Sequence, residues 1–417
     1  MTATTRISML APFRVRSFRY QWPADLLTSW GQEMEILILS WYILVETNSV
    51  AALTTFGALQ YFGTLLAPGF GMAGDRVGHR NVLCLMRAGY TVLATGVATL
   101  ILTGNLRPEF IFVLATLNGL IRPSDLGMRN ALTAATMPPD RLIVAMGVSR
   151  TTSDTARIFG ALVGAGLFAL IGMGNAYLVI VAFYGCGFLL TLRVKVPHQQ
   201  TLPPNGIRST PWHEMREGMS YVWHTPCVLA AMWLAFLVNM TAFPLTSPGL
   251  LPYVARDIYG MDQTGLGTLV ASFSFGAFLG SLTVSMLGHV IRPGRAMFIF
   301  SMIWHVLLLV FVLMPTPTAG RFVLVVAGFT QTMSMIPLAV MLLHVAGDRF
   351  RGRVMGVRML AIYGMPVGLV AAGPLVERIG YVPTATAYCV IGFILTAAIA
   401  VYWRAAIWPL GAAANRR

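Results

Sequence analysis

The segment Gly71-Met72-Ala73-Gly74-Asp75-Arg76-Val77-Gly78-His79-Arg80 is a short polar stretch between two long apolar runs. The preceding run covers residues 51–73, and the following run covers residues 81–104. About 20 consecutive apolar residues are needed to cross the roughly 30 Å of hydrocarbon in a bilayer. Both runs reach or approach that length, so the pattern predicts a tight loop between two membrane-spanning helices, with its charged side chains at the membrane boundary.

The composition of the whole chain supports this interpretation. The chain has 417 residues, of which 56% are hydrophobic and only 11% are charged. Soluble globular domains do not have this composition, so a polytopic membrane protein is predicted. Between the predicted spans, 20 Arg and Lys residues lie on the side of the N-terminus and four lie on the other side. This positive-inside bias accounts for the net charge of +14 and predicts cytoplasmic termini in the inner membrane, with no nucleic acid partner.

The apolar runs predict twelve membrane-spanning helices, numbered here as spans 1 to 12. The predicted spans cover residues 21–46, 51–73, 81–104, 109–136, 142–171, 175–194, 221–253, 262–288, 294–314, 321–346, 352–377 and 382–404. A proline-rich polar stretch lies between the sixth and seventh spans. In the count of basic residues, Arg87 is assigned to an inner loop. We therefore predict an N-terminal six-helix bundle (1–196), a cytoplasmic linker (197–215) and a C-terminal six-helix bundle (216–417).

The two predicted halves repeat each other in sequence. Met146-Gly147-Val148 at the start of span 5 matches Met355-Gly356-Val357 at the start of span 11, with an offset of 209 residues. At the same offset Gly164 matches Gly373. Parallel six-helix repeats place a binding site at the interface of the two halves. The fold class is therefore an all-α membrane protein with two bundles related by pseudo-twofold symmetry.

The polar stretch at residues 71–80 resembles the signature loop between the second and third helices of the major facilitator superfamily of transporters. In that family the acid of the loop docks on the far half of the protein and latches one gate. The resemblance implies that Asp75 is the latch and that Arg76 and Arg80 are its supporting cations. Gly71 and Gly78 are expected to allow close backbone approach or a positive φ.

Further segments narrow the resemblance to the branch that holds macrolide-efflux and siderophore-exporting antiporters. These segments are Ile121-Arg122-Pro123-Ser124, Asn130-Ala131-Leu132, Arg157-Ile158-Phe159-Gly160-Ala161-Leu162-Val163-Gly164 and Arg351-Gly352-Arg353-Val354-Met355-Gly356. The third segment is similar to the antiporter motif, in which a glycine-rich face of span 5 packs on span 8. Ala161 stands where that motif usually has proline.

Ionisable side chains in the middle of the membrane are functional candidates because they are costly to bury. Seven such residues lie in the first half: Asp25, Glu33, Glu35, Arg122, Asp125, Asp154 and Arg157. Away from the ends of its predicted spans, the second half has no acid and a single base, Arg358. This asymmetry assigns proton coupling to the first half.

The spacing of these charges predicts which acids are paired. Arg122 with Asp125 and Asp154 with Arg157 are each one helical turn apart and can neutralise each other. Glu33 and Glu35 are then left without an obvious partner, so one of them is expected to take up and release protons near neutral pH. Counting two turns from Asp25 favours Glu33, with Glu35 and Asp25 as the alternatives.

Other signals are weaker or negative. Five polar or aromatic residues within the spans are candidates to line a substrate cavity: Trp30, Asn239, Phe243, Gln331 and Tyr363. The four cysteines lie in or beside apolar runs and are expected to be small core residues, without disulfides. The histidines lack the spacing of a metal site, and no nucleotide-binding motif is present, so no metal and no cofactor is expected.

Several functions remain open at the level of sequence. The leading hypothesis is a secondary transporter, working as a monomer, that exports an amphipathic small molecule such as a drug or siderophore in exchange for protons by alternating access. The same fold also serves an uptake symporter or facilitator, or a lysolipid flippase. A different class is a non-transporting membrane sensor or assembly protein. An enzyme is not expected, because no loop outside the membrane is long enough to build an active site.

Overall fold

The computed structural model of the protein describes residues 10–196, 211–246, 249–287 and 290–408. The chain divides into two compact units. The first unit comprises Met1–Ile38 and Leu66–Ile207, and the second comprises Leu39–Leu65 and Arg208–Arg417. Most of the predicted linker lies outside the described residues, so the predicted bundle limits of 1–196 and 216–417 stay a prediction.

The regular elements of the described ranges are helices. The α-helices, numbered in chain order, are α1 (Arg16–Thr47), α2 (Val50–Leu59), α3 (Ala67–Val77), α4 (His79–Leu102), α5 (Pro108–Thr136), α6 (Pro139–Leu192), α7 (Pro211–His224), α8 (Pro226–Thr241), α9 (Leu251–Tyr253), α10 (Gln263–Leu287), α11 (Pro293–Val312), α12 (Pro317–Ala361), α13 (Gly364–Ile379), α14 (Tyr381–Tyr402) and α15 (Arg404–Ile407).

Within the described ranges, helical segments lie at each of the twelve predicted spans. The two longest helices each contain a non-helical glycine that separates successive spans. Gly172 in α6 has φ 78° and ψ 168°, and Gly347 in α12 has φ 58° and ψ 179°. Eight helices of the described chain are long and apolar enough to cross a membrane on length and composition alone.

The sequence repeat is visible in the backbone. Gly380, which joins spans 11 and 12, has φ 88° and ψ 167°, close to the values at Gly172 between spans 5 and 6. Glycine is the residue that adopts a positive φ without steric cost. Both halves therefore turn from their fifth to their sixth span through a glycine of the same conformation.

In the first unit, α4 packs against α5 and α6 around a buried apolar cluster. The cluster consists of Val82, Leu83, Met86, Met128, Leu132 and Val194. Apolar side chains on the inner faces of the three helices exclude water and lipid from this region. The same helices carry charged residues, namely Arg87 on α4 and Asp125 and Arg129 on α5. The packing of the cluster therefore helps to fix the positions of these residues.

In the second unit, glycines bring helices into backbone contact. On α10 and α12, Gly276 lies against the carbonyl of Val325, and Gly328 lies against the carbonyl of Phe273. In membranes, small residues let helices approach closely, and van der Waals packing drives their association. A side chain at either glycine would collide with the backbone of the neighbouring helix.

The start of α10 is capped by an acid. The Asp262 carboxylate accepts a hydrogen bond from the Gly265 backbone N–H at 3.0 Å and another from the Thr264 hydroxyl. These bonds satisfy donors that the first helical turn leaves without an intrahelical partner.

The C-terminal end of α1 and the whole of α2 belong to the second unit. The Glu377 carboxylate on α13 accepts hydrogen bonds from the Ser49 hydroxyl at 2.7 Å and from the Ala51 N–H at 2.9 Å. At the end of α1, the Arg256 guanidinium donates to the Leu44 carbonyl at 2.6 Å. Glu377 corrects the expectation of a second half without helical acids, since α13 extends two residues beyond it.

The cysteines agree with the sequence prediction except in one position. All four are free thiols. Cys84, Cys227 and Cys389 are buried, whereas Cys186 is exposed on the surface of α6. The surrounding apolar sequence of span 6 did not distinguish an outward-facing position from a core position.

Candidate functional site

Two acids and two arginines form a buried network in the first unit. The Asp25 carboxylate on α1 forms an ion pair with Arg87 on α4, and the Nε of Arg129 on α5 lies 3.9 Å from the same carboxylate. Arg129 also pairs with Asp125, one turn earlier on α5. Arg87 is fully buried, so its charge depends on this network for compensation. Arg87 is therefore a core residue and not part of an inner loop, which corrects the sequence count.

A second acid on α1 has a different environment. Glu35 is buried, and its two carboxylate oxygens accept hydrogen bonds from the hydroxyls of Tyr177 at 2.7 Å and Tyr184 at 2.8 Å. The side-chain amide of Asn118 donates a longer bond of 3.4 Å to Glu35. Arg122 is close enough to interact electrostatically with the same carboxylate. We call these five residues the Glu35 site.

The helices fix the geometry of the Glu35 site. Tyr177 and Tyr184 are seven residues apart on α6, which is about two helical turns, so both hydroxyls face α1. Gly31 lies one turn before Glu35, and a Cβ at that position would be 2.7 Å from the Tyr184 ring. The glycine thus provides the space in which the Tyr184 ring lies against α1.

Glu33 lies on another face of α1. It is half-buried, and a Cβ at Gly160 of α6 would lie 2.9 Å from the Glu33 Cβ. The turn count from Asp25 could not separate the two glutamates. At about 100° per residue, Glu33 falls roughly 80° to one side of Asp25, and Glu35 falls roughly 80° to the other.

The glycine face of span 5 packs on α1. Gly160 lies beside Glu33, and a Cβ at Gly164 would be 2.9 Å from the Met34 side chain. In the same region Trp30 stacks on Phe159, with ring centroids 6.3 Å apart. The close packing expected of these glycines is present, with α1 as the neighbour in the first unit. The contact with span 8 implied by the resemblance stays a prediction.

The predicted charge pairs have other partners. Asp125 pairs with Arg129 instead of Arg122, and Asp154 pairs with Arg150 at an N–O distance of 3.2 Å instead of with Arg157. In both cases the observed spacing is four residues, and residues four apart lie almost directly above one another on a helix. Arg122 instead lies near Glu35, and Arg157 is exposed.

The polar stretch at residues 71–80 is more helical than predicted. Helix α3 continues to Val77 and α4 starts at His79, so Gly78 is the only residue between them. Gly78 has φ 96°, as expected for this glycine. Gly71 has neither a positive φ nor a close neighbour, whereas a Cβ at Gly74 would lie 2.8 Å from the His79 ring. The close approach is therefore at Gly74.

The charged residues of this stretch differ in their surroundings. Arg80 donates a hydrogen bond to the Leu192 carbonyl at the end of α6, and Arg76 is exposed. The side chains of Asp75 and Arg351 lie outside the described part of the structure. Arg353, which belongs to the same resemblance segment as Arg351, pairs with Glu217 in the second unit.

The predicted cavity residues of the second unit are held by local contacts. Asn239 donates to the Ala235 carbonyl at 2.8 Å, Phe243 meets Trp304 edge-on at 5.2 Å, Gln331 accepts from Thr332 at 3.3 Å, and Tyr363 donates to the Phe62 carbonyl at 2.7 Å. Gln331 is buried, and the other three are partly exposed. Their role in a substrate cavity stays a prediction.

Several residues of the site were missed by sequence reasoning. Tyr177 and Tyr184 carry a usable signal, because two tyrosines seven residues apart in an apolar span share one face. Asn118 is a polar residue within an otherwise apolar part of span 4. Arg87 and Arg129 gave no signal of this kind, since arginines near span ends usually extend to the interface.

The family profile of the Major Facilitator Superfamily matches residues 22–368 of the chain. The chain belongs to this superfamily. Enterobactin exporter EntS of Escherichia coli O1:K1 is 23% identical over 306 residues, covering 73% of this chain and 71% of that protein. Multidrug efflux pump Tap of Mycolicibacterium fortuitum is 24% identical over 371 residues, covering 86% and 88% respectively.

Solved structures of the superfamily share the fold. A bacterial homologue of the human lysosomal transporter Spinster matches with a TM-score of 0.67 at 13% identity, covering 96% of this chain and 97% of that one. A D-xylose–proton symporter matches with a TM-score of 0.70 at 12% identity, covering 92% and 97%. The protein is therefore a multi-pass membrane transporter of the major facilitator fold and not an enzyme.

Proposed function

We propose that this transporter exports an amphipathic small molecule, such as a drug or siderophore, across the inner membrane in exchange for protons. The two relatives described above are named as exporters of a siderophore and of drugs, which supports the direction of transport and the substrate class. The observation that carries the proton-coupled part is the Glu35 site, a buried acid whose hydrogen-bond donors are neutral hydroxyls and an amide.

The partners of an acid decide whether it can change charge during a transport cycle. Protonation of Asp25 would leave the buried Arg87 guanidinium without its counter-ion, and arginine does not release its own proton. Protonation of Glu35 requires that one tyrosine hydroxyl turn from donor to acceptor, because a hydroxyl can serve as either, and it weakens the electrostatic interaction with Arg122. Asp25 is thus suited to a fixed structural role, and Glu35 is suited to proton exchange.

Arg122 adds a fixed positive charge beside Glu35. Its guanidinium is permanently charged, and its electrostatic interaction with Glu35 changes when Glu35 gains a proton. Protonation of Glu35 therefore changes the electrostatic potential at Arg122, and no second side chain has to gain or lose a proton. Glu33, which lies nearby on another face of α1, remains the alternative proton carrier.

The experiment uses purified protein in vesicles with a trapped pH indicator and a panel of substrates that includes ethidium and enterobactin. Glu35→Gln mimics the protonated carboxyl and keeps its size. We expect substrate counterflow to survive, because exchange of substrate for substrate moves no net protons. Accumulation against a gradient and proton release should both be lost.

Glu33→Gln is the matched control on the same helix, and it should pump normally. Normal pumping by Glu35→Gln together with loss of coupling in Glu33→Gln would transfer the role to Glu33. Normal coupling in both variants would refute proton exchange through α1 and favour a facilitator. Loss of all transport, including counterflow, in well-folded Glu35→Gln would make the Glu35 site a substrate site.

We also propose that Asp75 latches the cytoplasmic gate, on the basis of its position in the last helical turn of α3 and the family resemblance. Asp75→Asn should strongly reduce transport while expression and thermal stability remain at the parent level. Asp140→Asn, an exposed acid at the start of α6, is the control for loss of one surface carboxylate and should transport at the parent level. Equal transport by parent and Asp75→Asn would remove the latch role.

A further inference from the structure

A cavity of about 940 Å³ lies in the first unit, at the same end as the α3–α4 turn. Its walls come from the start of α1, the α3–α4 turn, and the end of α6 with the residues that follow it. This volume is at the upper end of the range that small-molecule sites occupy. The cavity is separate from the Glu35 site, none of whose residues lines it.

The walls of this cavity are strongly basic. Four permanently charged side chains line it, and they come from three parts of the chain: Arg16, Arg80, Arg193 and Lys195. Among the lining residues that the structure describes, none is an acid. Asp75 is the single acid in residues 70–81, and residues 197–210, which follow the end of α6, contain no acid. Even with Asp75 ionised, the cations outnumber the local acid.

The basic wall is anchored and retains hydrogen-bonding capacity. The Ser17 hydroxyl donates to the Lys195 carbonyl at 2.5 Å, which ties the segment after α6 to the start of α1. Arg80 uses one terminal nitrogen to bind the Leu192 carbonyl. Its Nε is buried and has no hydrogen-bond partner in the described part of the chain. A buried N–H without a partner is costly, so an acceptor at this position would be stabilising.

We propose that this cavity is a binding site for a phosphate-bearing ligand. Guanidinium groups bind phosphate oxygens through paired, charge-assisted hydrogen bonds, and lysine adds a compact positive charge. The positive-inside bias places the cavity at the cytoplasmic interface, where anionic phospholipid headgroups are concentrated. A headgroup phosphate or a soluble phosphate ester would both satisfy the cations, and the bound ligand would hold the first turns of α1 and α4 to the end of α6.

The test measures binding to the purified full-length protein in a neutral detergent by native mass spectrometry and thermal unfolding. The probes are phosphatidylglycerol, phosphatidylcholine and glycerol 3-phosphate. The variant Arg193→Gln/Lys195→Gln removes two cavity cations that are both exposed. The matched control Arg292→Gln/Arg404→Gln removes two exposed arginines of the second unit.

We expect phosphatidylglycerol to bind the parent and the control alike, and to bind the cavity variant roughly 30-fold more weakly, from two lost cation contacts. Binding of glycerol 3-phosphate with the same variant dependence would identify a soluble ester as a competent ligand, and its failure to bind would identify the lipid as the source. The proposal is overturned if neither phosphatidylglycerol nor glycerol 3-phosphate binds, or if the control weakens binding as much as the cavity variant does. It is also overturned if phosphatidylcholine, whose phosphate charge is balanced by its own choline group, binds as well as phosphatidylglycerol.

Discussion

The pair formed by Asp25 and Arg87 allows a direct test of which buried acid is structural. The test compares Asp25→Asn, Arg87→Met and the double variant with the parent. Each single change removes one charge of a pair whose arginine is fully buried. Removal of one partner of a buried ion pair costs about 3–5 kcal/mol, because the other charge is left uncompensated.

The surroundings of the pair predict an order among the variants. Arg87→Met leaves Asp25 within 3.9 Å of the Arg129 Nε and within 3.5 Å of the Gln21 amide, so the loss should be near the lower end of that range. Asp25→Asn leaves the buried Arg87 with the Thr191 hydroxyl as a neutral partner, so the loss should be near the upper end. The double variant removes both charges and should be more stable than Asp25→Asn.

The assay is chemical unfolding of the purified protein in detergent, analysed as a double-variant cycle. We expect a coupling free energy of about 2 kcal/mol or more between the two positions. The double variant should also retain proton-coupled accumulation of substrate, because the Glu35 site is unchanged. Additive single effects would show that the pair contributes nothing to stability. A stable Asp25→Asn protein that has lost proton coupling would make Asp25 the proton carrier.

Three further predictions follow from local contacts. Gly31→Ala should displace the Tyr184 ring and weaken proton-coupled transport more than counterflow. The control Gly166→Ala places its methyl group in open space and should leave proton-coupled transport and counterflow at the parent level. Gly328→Ala should lower the free energy of unfolding by about 1–3 kcal/mol, measured by chemical unfolding, because the methyl group meets the α10 backbone. Hydrogen bonds from Thr264 and Gly265 lower the pKa of Asp262 from its usual 3.8. Asp262→Ala should therefore reduce thermal stability at pH 7, where the carboxylate is ionised. The difference in stability from the parent should disappear as the pH falls below 3.8, because the carboxylate of the parent is then protonated as well.

The fold was predictable from sequence because a bilayer imposes one strong rule. Every spanning backbone must satisfy its hydrogen bonds internally, so apolar runs of sufficient length become helices. The predicted ends of span 4 at residues 109 and 136 agree with α5 (Pro108–Thr136). Span 2 was predicted as continuous from residue 51 to residue 73, but it is divided between α2 and α3. The break begins at Gln60, and α3 has Pro68 in its first turn, so the sequence contains local signals for the break that the length of the apolar run concealed.

The site was only partly predictable, because charge pairing depends on contacts between helices. The position of the α1 acids within a predicted span marked them as residues to examine, but sequence spacing could consider only partners on the same helix. Arg87 is 62 positions from Asp25, and Tyr177 is 142 positions from Glu35. Such pairs are determined by the packing of α1 against α4 and α6. The assignment of Arg122 to Asp125 was wrong for a different reason, because the partner of Asp125 is Arg129 on the same helix, four residues later instead of three residues earlier.

The two acids of α1 together suggest how proton binding is converted into movement. Asp25 and Glu35 are about 15 Å apart along the helix at 1.5 Å per residue, and α6 contacts the second of them through two tyrosines on one face. A proton on Glu35 turns one carboxylate oxygen into a donor, so at least one of the two tyrosine hydroxyls must reorient or release its bond. The contact between α1 and α6 is then weakened at Glu35, while the ion pairs around Asp25 continue to hold the N-terminal half of α1 to α4 and α5. Under the proposed mechanism, a single protonation therefore loosens the contact of α6 with the middle of α1 and leaves the ion pairs of the bundle core in place.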